Sequence, residues 1–367
     1  MAVDTESPPS AVGTDSPKAP QRRRSIPARI WRNYGVRRTI NAIGVVFVVA
    51  NVTFFLARAM PGDPVEVMAG RLSQGGMTWE QAYAIAQSSL AYDSGAPIWQ
   101  QWWEYMSGLA MGDMGTSVLY PGDAVFDVIM RYLPWTLSSV GIGVSVAILL
   151  GLTLGMVMAY RRNTSVDHVL SVAASIFGAI PNYLIAMALV IGGSTYLGLF
   201  SFLEVRGTVS PGVEPGFTPE FLGDILFHAI LPILTYVLSV VGSWMLVMKA
   251  STTEVLSDDY VMVARARGLR DRDISVSYVG RNAVLPLVSQ IAIALGTLVG
   301  GAIFVEQVLA YKGVGGLLLE SVNNRDYPVL QGLLLILTAC VVAANLVSDL
   351  IYGLLDPRIR NSDVEAA

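Results

Sequence analysis

Long apolar runs alternate with short polar stretches along this chain, and the runs are too long for the elements of a water-soluble core. A hydrocarbon layer of roughly 30 Å calls for about 20 apolar residues in helical conformation. With Gly, Ser and Thr admitted, six segments reach that length: Ile40 to Ala59, Leu133 to Tyr160, Val169 to Leu197, His228 to Met248, Val284 to Val305 and Val329 to Leu355. The second, third and sixth are long enough to tilt or to project beyond a bilayer. Gly151 with Gly155, and Gly296 with Gly300, have the small-xxx-small spacing that lets helix backbones approach closely. The pattern predicts an all-α integral membrane protein of six transmembrane helices.

The polar stretches differ in length and kind. Residues 60–132 form a long first loop with helix-like segments at Trp79 to Leu90 and Ile98 to Leu109. Its aromatics Trp99, Trp102, Trp103 and Tyr105 fit two roles, capping the bundle at the membrane interface or stacking on a ligand ring. Ser201 to Asp224 is rich in Gly and Pro and reads as an irregular loop. Glu306 to Tyr327 carries Gly313, Gly315 and Gly316, then Asn323, Asn324, Arg325 and Asp326.

Composition agrees with the pattern. Hydrophobic residues make up 53% and charged residues 14% of the 367, against about 25% charged in soluble domains, and mean hydropathy is +0.54. Charge placement then orients the helices. With the N-terminus inside, the segments on that side hold 18 of the 24 Lys and Arg, leaving only Arg58, Arg71, Arg131, Arg206, Lys312 and Arg325 outside. The positive-inside rule therefore puts both termini in the cytoplasm. Residues 1–35 read as a disordered cytoplasmic tail without a signal-type apolar core, ending in a basic cluster that meets anionic lipid. Residues 361–367 form a short C-terminal tail.

Candidate chemistry is sparse. The single cysteine, Cys340, excludes an intrachain disulfide and a cysteine-cluster metal site, and His168 and His228 read as polar residues near helix ends rather than ligands. No Gly-x-x-x-x-Gly-Lys-Ser/Thr loop is present, so ATP binding on this chain is not expected. Asp349 is the nearest approach to an isolated charge within a span, and it lies close to the cytoplasmic end. Nothing in composition or charge points to nucleic acid. The spans offer no catalytic carboxylate or histidine pairs for a membrane enzyme.

The large inner loop, residues 250–283, is more informative. Asp258 or Asp259 can cap a short helix over Tyr260 to Arg267, and Gly268 is a natural stop with Arg265 and Arg267 at the helix's negative end. A second helix runs from Asp271 or Asp273 to about Asn282, ending before Leu285-Pro286. Two readings stand open: a rigid knob whose small residues Ala264 and Ala266 approach a partner's groove, or an amphipathic loop on the membrane surface.

Asp259 to Gly268, followed by Arg281-Asn282-Ala283-Val284-Leu285-Pro286, closely resembles the coupling loop of ABC-importer permeases of the dipeptide/oligopeptide family. Four further blocks resemble that family in order: Arg58 to Pro64, Gly112 to Ser117, Glu306 to Gly316 with Asn324 to Val329 and Gln331-Gly332, and Asn345 to Arg360. The resemblance covers roughly residues 36–360 and is closest to the first, B-type permease of the pair. The acidic residue usual in such coupling loops is missing near Met262, and Lys312 stands where the family often has Pro.

The resemblance implies a type I ABC-importer transmembrane fold with cytoplasmic coupling helices in the cell membrane. It implies that Asp259, Tyr260, Ala264, Arg265, Ala266 and Gly268 couple to ATPase subunits. One or two such subunits would hold the ATP and magnesium, so this chain carries no cofactor and is not itself an enzyme. It further implies a second, homologous permease chain, an extracytoplasmic substrate-binding (lipo)protein, and short peptides as cargo. Related permeases carry oligosaccharides or nickel complexes. An ion-coupled carrier is the competing class, with a channel behind it.

Overall fold

The computed structural model describes residues 34–59, 63–90 and 96–355. The two tails therefore lie almost wholly outside the described residues. The chain is helical throughout its described length, apart from turns and an isolated bridge between Thr116 and Ala124. Helix α1 spans Tyr34–Ala59, and the long loop that follows holds α2 (Pro64–Gln74), α3 (Trp79–Leu90), α4 (Ile98–Ala110) and α5 (Val125–Met130). The two helices expected in that loop are thus present, and two more flank them.

The span at Leu133–Tyr160 (α6) has the bounds expected from the sequence. The third span does not run straight. Helix α7 (Ser165–Ala179) and α8 (Asn182–Ile191, extended by a π turn to Tyr196) meet at 102°. The cause is Pro181, which pushes the preceding Ile180 into the extended region, at φ −83° and ψ 125°. Helix α9 covers Pro219–Leu256, well beyond His228 to Met248 at both ends. At 1.5 Å per residue its 38 residues extend about 57 Å, far more than a bilayer core.

After α9 come the short helices α10 (Asp259–Ala266), α11 (Asp271–Asp273) and α12 (Arg281–Val284), then α13 (Val288–Leu309), α14 (Val314–Asn323) and α15 (Tyr327–Leu355). The second helix of the inner loop does not end before Pro286. A π segment over Ile274–Gly280 and a 3-10 turn at Leu285–Leu287 carry the chain on into α13. Pro286 has no N–H to give, and a change of helix type at that point accommodates it.

Among the described residues, four helical stretches are long and apolar enough to cross a membrane: Arg38–Ala59, Val125–Tyr160, Pro219–Leu256 and Tyr327–Leu346. Two bent pairs pass the same test together, Ser165–Ala179 with Asn182–Tyr196 and Ala302–Leu309 with Val314–Asn323, and counting each as one span raises the total to six.

The main packing seam joins α6 to α9. Gly151 and Gly155 are what let them close: a Cβ on Gly151 would lie 2.4 Å from the Trp244 Cβ, and one on Gly155 2.5 Å from the Met245 carbonyl oxygen. This is the packing role that the spacing suggests. Gly296 and Gly300 sit in α13 at positions whose surroundings fall outside the described residues. Around the seam, Val144, Tyr236, Trp244, Met248, Leu287 and Val305 form the largest apolar core.

Candidate functional site

Helix α6 carries a distinct assembly at each end. Tyr160 packs with the loop after α9, whereas Thr136 bonds to Glu306 at the other end. The offset of 24 positions between Thr136 and Tyr160 places the two assemblies about 36 Å apart along the helix.

The first assembly is a knob. Helix α10 begins at Asp258, whose backbone is extended as a capping residue requires, although its side chain makes no capping bond. The helix ends in a two-bond lock: Gly268 N–H donates to the Arg265 carbonyl at 2.9 Å and Leu269 N–H to the Ala264 carbonyl at 3.4 Å. Gly268 has φ +72°, the left-handed turn that such an ending requires and that glycine adopts without strain. Val261 and Ala264 face inward, packed with Ile274 and Val279 and flanked by Tyr160, Val255 and Leu256. Asn282 Nδ2 donates to the Tyr260 hydroxyl at 3.0 Å and Ser251 Oγ to the Ala283 carbonyl at 2.7 Å, so both sides of the loop are pinned. Burial pushes the Tyr260 phenol above its ordinary pKa.

Not every expected docking residue faces outward. Asp259, Tyr260, Arg265, Ala266 and Gly268 are exposed, and with them Met262 and Val263 form the outer surface. Ala264 is only 2% exposed and belongs to the knob's interior, which leaves Ala266 as the small residue on the outer surface. The i, i+3 spacing of Val261 and Ala264 is what turns Ala264 inward.

The knob rests on a charged strut. Lys249 Nζ, about two turns before the end of α9, lies 2.5 Å from Asp167 Oδ1 and also donates to Ser171 Oγ at 3.1 Å. Asp167 is buried and accepts from Asn163 N–H at 3.1 Å. The start of α7 is thereby tied to the segment that carries the knob.

At the opposite end lies a clasp built on two buried carboxylates. Glu306, 1% exposed, accepts from Thr136 Oγ1 at 2.5 Å, Gly315 N–H at 2.8 Å and Gly316 N–H at 3.3 Å. The α14 N-terminus thus wraps the carboxylate, a favourable place for an anion. A Cβ on Gly313 would fall on the Glu306 carboxylate, and one on Gly315 would lie 2.4 Å from Ile303 Cα. Asp326, fully buried, accepts from Ser117 Oγ at 2.5 Å, Leu119 N–H at 2.8 Å and Val329 N–H at 3.2 Å. It therefore caps α15 while holding the loop after α4. Arg71 reaches Asn324 from α2, donating to its side-chain oxygen at 2.8 Å and its carbonyl at 3.2 Å. Beside the clasp opens a cleft of about 380 Å³, lined among others by Tyr132, Tyr311, Lys312, Glu320 and Asn324.

Nothing in the residue pattern marks Glu306 as a buried charge, because it stands just past Val305, where the fifth apolar run ends. Helix α13 continues to Leu309, and Ala310 turns the chain at φ +47°. His228 likewise lies buried inside α9, its Nδ1 2.9 Å from the Asp224 carbonyl oxygen. Asp349 falls where side-chain surroundings lie outside the described residues. Among the described residues no three His, Cys, Asp or Glu side chains gather as a metal site.

Residues 151–361 match the family described as "Binding-protein-dependent transport system inner membrane component", and residues 32–140 match the N-terminal region of such membrane components. The chain is 31% identical to the glutathione transport system permease protein GsiC of Escherichia coli (strain K12), over 89% of this chain and 99% of that protein. It is 28% identical to the oligopeptide transport system permease protein AppB of Bacillus subtilis (strain 168), over 89% and 98% respectively. A chain of the inward-facing MetNI methionine ABC transporter superposes with a TM-score of 0.49 at 17% identity, covering 63% of this chain and 97% of that one.

Proposed function

Since the chain belongs to the family of binding-protein-dependent transport system inner membrane components, we propose that it is one permease subunit of an ATP-driven importer of short peptides. The bent pairs each count as one span in this reading, giving six, with both termini and the knob on the cytoplasmic side. The curated relatives named for oligopeptide and glutathione transport support the cargo class.

The observation that carries the mechanism is the knob. An exposed surface of Asp259, Tyr260, Met262, Val263, Arg265 and Ala266 sits on a rigid base continuous with α9. A cleft in an ATPase subunit receives that surface. Closure of the ATPases pushes α10, and α9 carries the displacement along its packed seam with α6. The Lys249–Asp167 strut passes part of it to α7. Rocking of this chain against a second, homologous permease switches the pathway between outward and inward access. ATP and magnesium reside on one or two ATPase chains, and an extracytoplasmic binding protein delivers cargo at the clasp end.

The test is uptake of labelled di- and tripeptides into vesicles reconstituted with both permeases, the ATPases and the binding protein. Uptake with ATP and no ion gradient supports the reading, whereas uptake that needs an ion gradient and ignores ATP overturns it. Uptake of oligosaccharides or nickel complexes in place of peptides replaces the cargo but keeps the permease. Ala266→Arg is the coupling variant of choice, since it alters only the exposed surface. Unchanged peptide-stimulated ATP hydrolysis in that variant would sink the coupling role of α10.

A further inference from the structure

Helix α4 divides its circumference into three stripes. One stripe packs on α1: Trp102 Nε1 donates to Asn51 Oδ1 at 2.9 Å, Arg58 Nε donates to Gln101 Oε1 at 3.3 Å, and the Tyr105 and Phe54 rings lie 5.5 Å apart. A second stripe, Gln100, Glu104 and Ser107, is polar and internally bonded, with Gln100 Nε2 donating to Glu104 Oε1 at 3.1 Å and Ser107 Oγ to the Glu104 carbonyl at 3.1 Å. Between them, at the i, i+4 and i+3 positions that share a helix face, run Trp99, Trp103 and Met106. Trp99 is 70% exposed and Trp103 65%, and none of the helix's residues is fully buried. An aromatic stripe left open beside a polar one needs a surrounding that is apolar on one side and wet on the other.

The anchor points fix the depth of this surrounding. Asn51, Phe54 and Arg58 occupy the last turns of α1, within about 12 Å of its end at Ala59. On the same helix Phe47, Val48, Val52, Phe55 and Leu56 are each at least half exposed, forming the apolar flank that a membrane span presents to lipid. The anchor contacts hold the aromatic stripe of α4 at the level where the span ends. Trp is the residue type that favours this level, with its ring in the apolar boundary and its N–H near the headgroups.

We infer that α4 is an interfacial helix lying in the headgroup boundary of the bilayer beside the end of α1, with Trp99, Trp103 and Met106 in lipid and Gln100 and Glu104 in water. The occupant of its open face is the lipid surface itself, not a ligand ring and not a second protein. The helix braces the end of α1 and sets the height of the loop 60–132 above the membrane. This assignment does not depend on the cargo or on the energy source.

Site-directed spin labelling of the full chain in its assembled complex, reconstituted in phosphatidylglycerol/phosphatidylethanolamine vesicles, tests it. Single cysteines replace Trp99, Trp103, Met106, Gln100 and Glu104 in turn, in a Cys340→Ser background. Collisions with oxygen should exceed those with a water-soluble nickel chelate at 99, 103 and 106, and the order should reverse at 100 and 104. Equal nickel accessibility at all five positions overturns the proposal, and so does shielding of 99 and 103 from both reagents, which would mark a protein partner. A second measurement keeps the native tryptophans in place. Lipids brominated near the headgroup should quench the intact protein more than the Trp99→Phe/Trp103→Phe variant, and equal quenching of the two would also overturn the assignment.

Discussion

At the Tyr160 end of α6 the chain folds a charged loop around Val261, Ala264, Ile274 and Val279, whereas at the Thr136 end it folds an apolar-flanked turn around Glu306 and Asp326. The knob therefore has an oily inside and a polar outside, like a small soluble domain. The clasp is inverted, with its charges at the centre and each carboxylate spent on backbone and hydroxyl donors. On the proposed function, the difference follows from the task of each end. A surface that is to meet another protein keeps its polar and small groups outward and takes its rigidity from packing. A turn that ties four separate segments needs directional bonds, and a buried carboxylate with several acceptor sites supplies them.

The comparison breaks most severely at Glu306. Glu306→Ala leaves three donors without an acceptor, at about 1–3 kcal/mol each, so folded protein should be largely lost from the membrane fraction. Glu306→Gln keeps an acceptor and should recover much of the yield; equal loss in both variants would show that the charge matters more than the bonds. Next in size is Ala264→Arg, which forces a cation into the knob's apolar centre. Limited proteolysis should then cut within residues 250–283 while thermal unfolding of the remaining bundle, followed by tryptophan emission, barely shifts. Concerted unfolding of both would mean that knob and bundle are one cooperative unit.

Asp167→Asn should have a smaller effect, because Lys249 is a quarter exposed and can rehydrate. Its signature is functional: ATP hydrolysed per peptide imported should rise while complex assembly stays normal. The least effect is expected for Gly268→Ala, about 1 kcal/mol from the left-handed backbone, since open space surrounds that position. A cost as large as that of Ala264→Arg would place Gly268 in a packed contact instead.

Much of this was legible in the residues. The bounds of α6, the helices at Trp79 and Ile98, the close approach at Gly151 and Gly155, and the stop at Gly268 all follow from local rules of length, spacing and backbone freedom. The knob's helix was legible too, but not its orientation. Ala264 and Ala266 look alike in sequence, and only the packing of Ile274 and Val279 decides that one is buried and the other bare. The break at Pro181 had a local signal that apolar length alone outweighed.

The chain's own order of residues determined that it is a helical membrane protein, where α6 and α10 stop, and which loop stands out, because hydropathy and backbone preference act over a few neighbouring residues. Only the tertiary structure decided that Glu306 and Asp326 are buried centres of a clasp, that Lys249 finds Asp167, and that Trp99 and Trp103 of α4 face away from the bundle while Trp102 packs on α1. Each of those depends on partners tens or hundreds of positions away, and a carboxylate's burial is set by the donors that reach it rather than by the residues beside it.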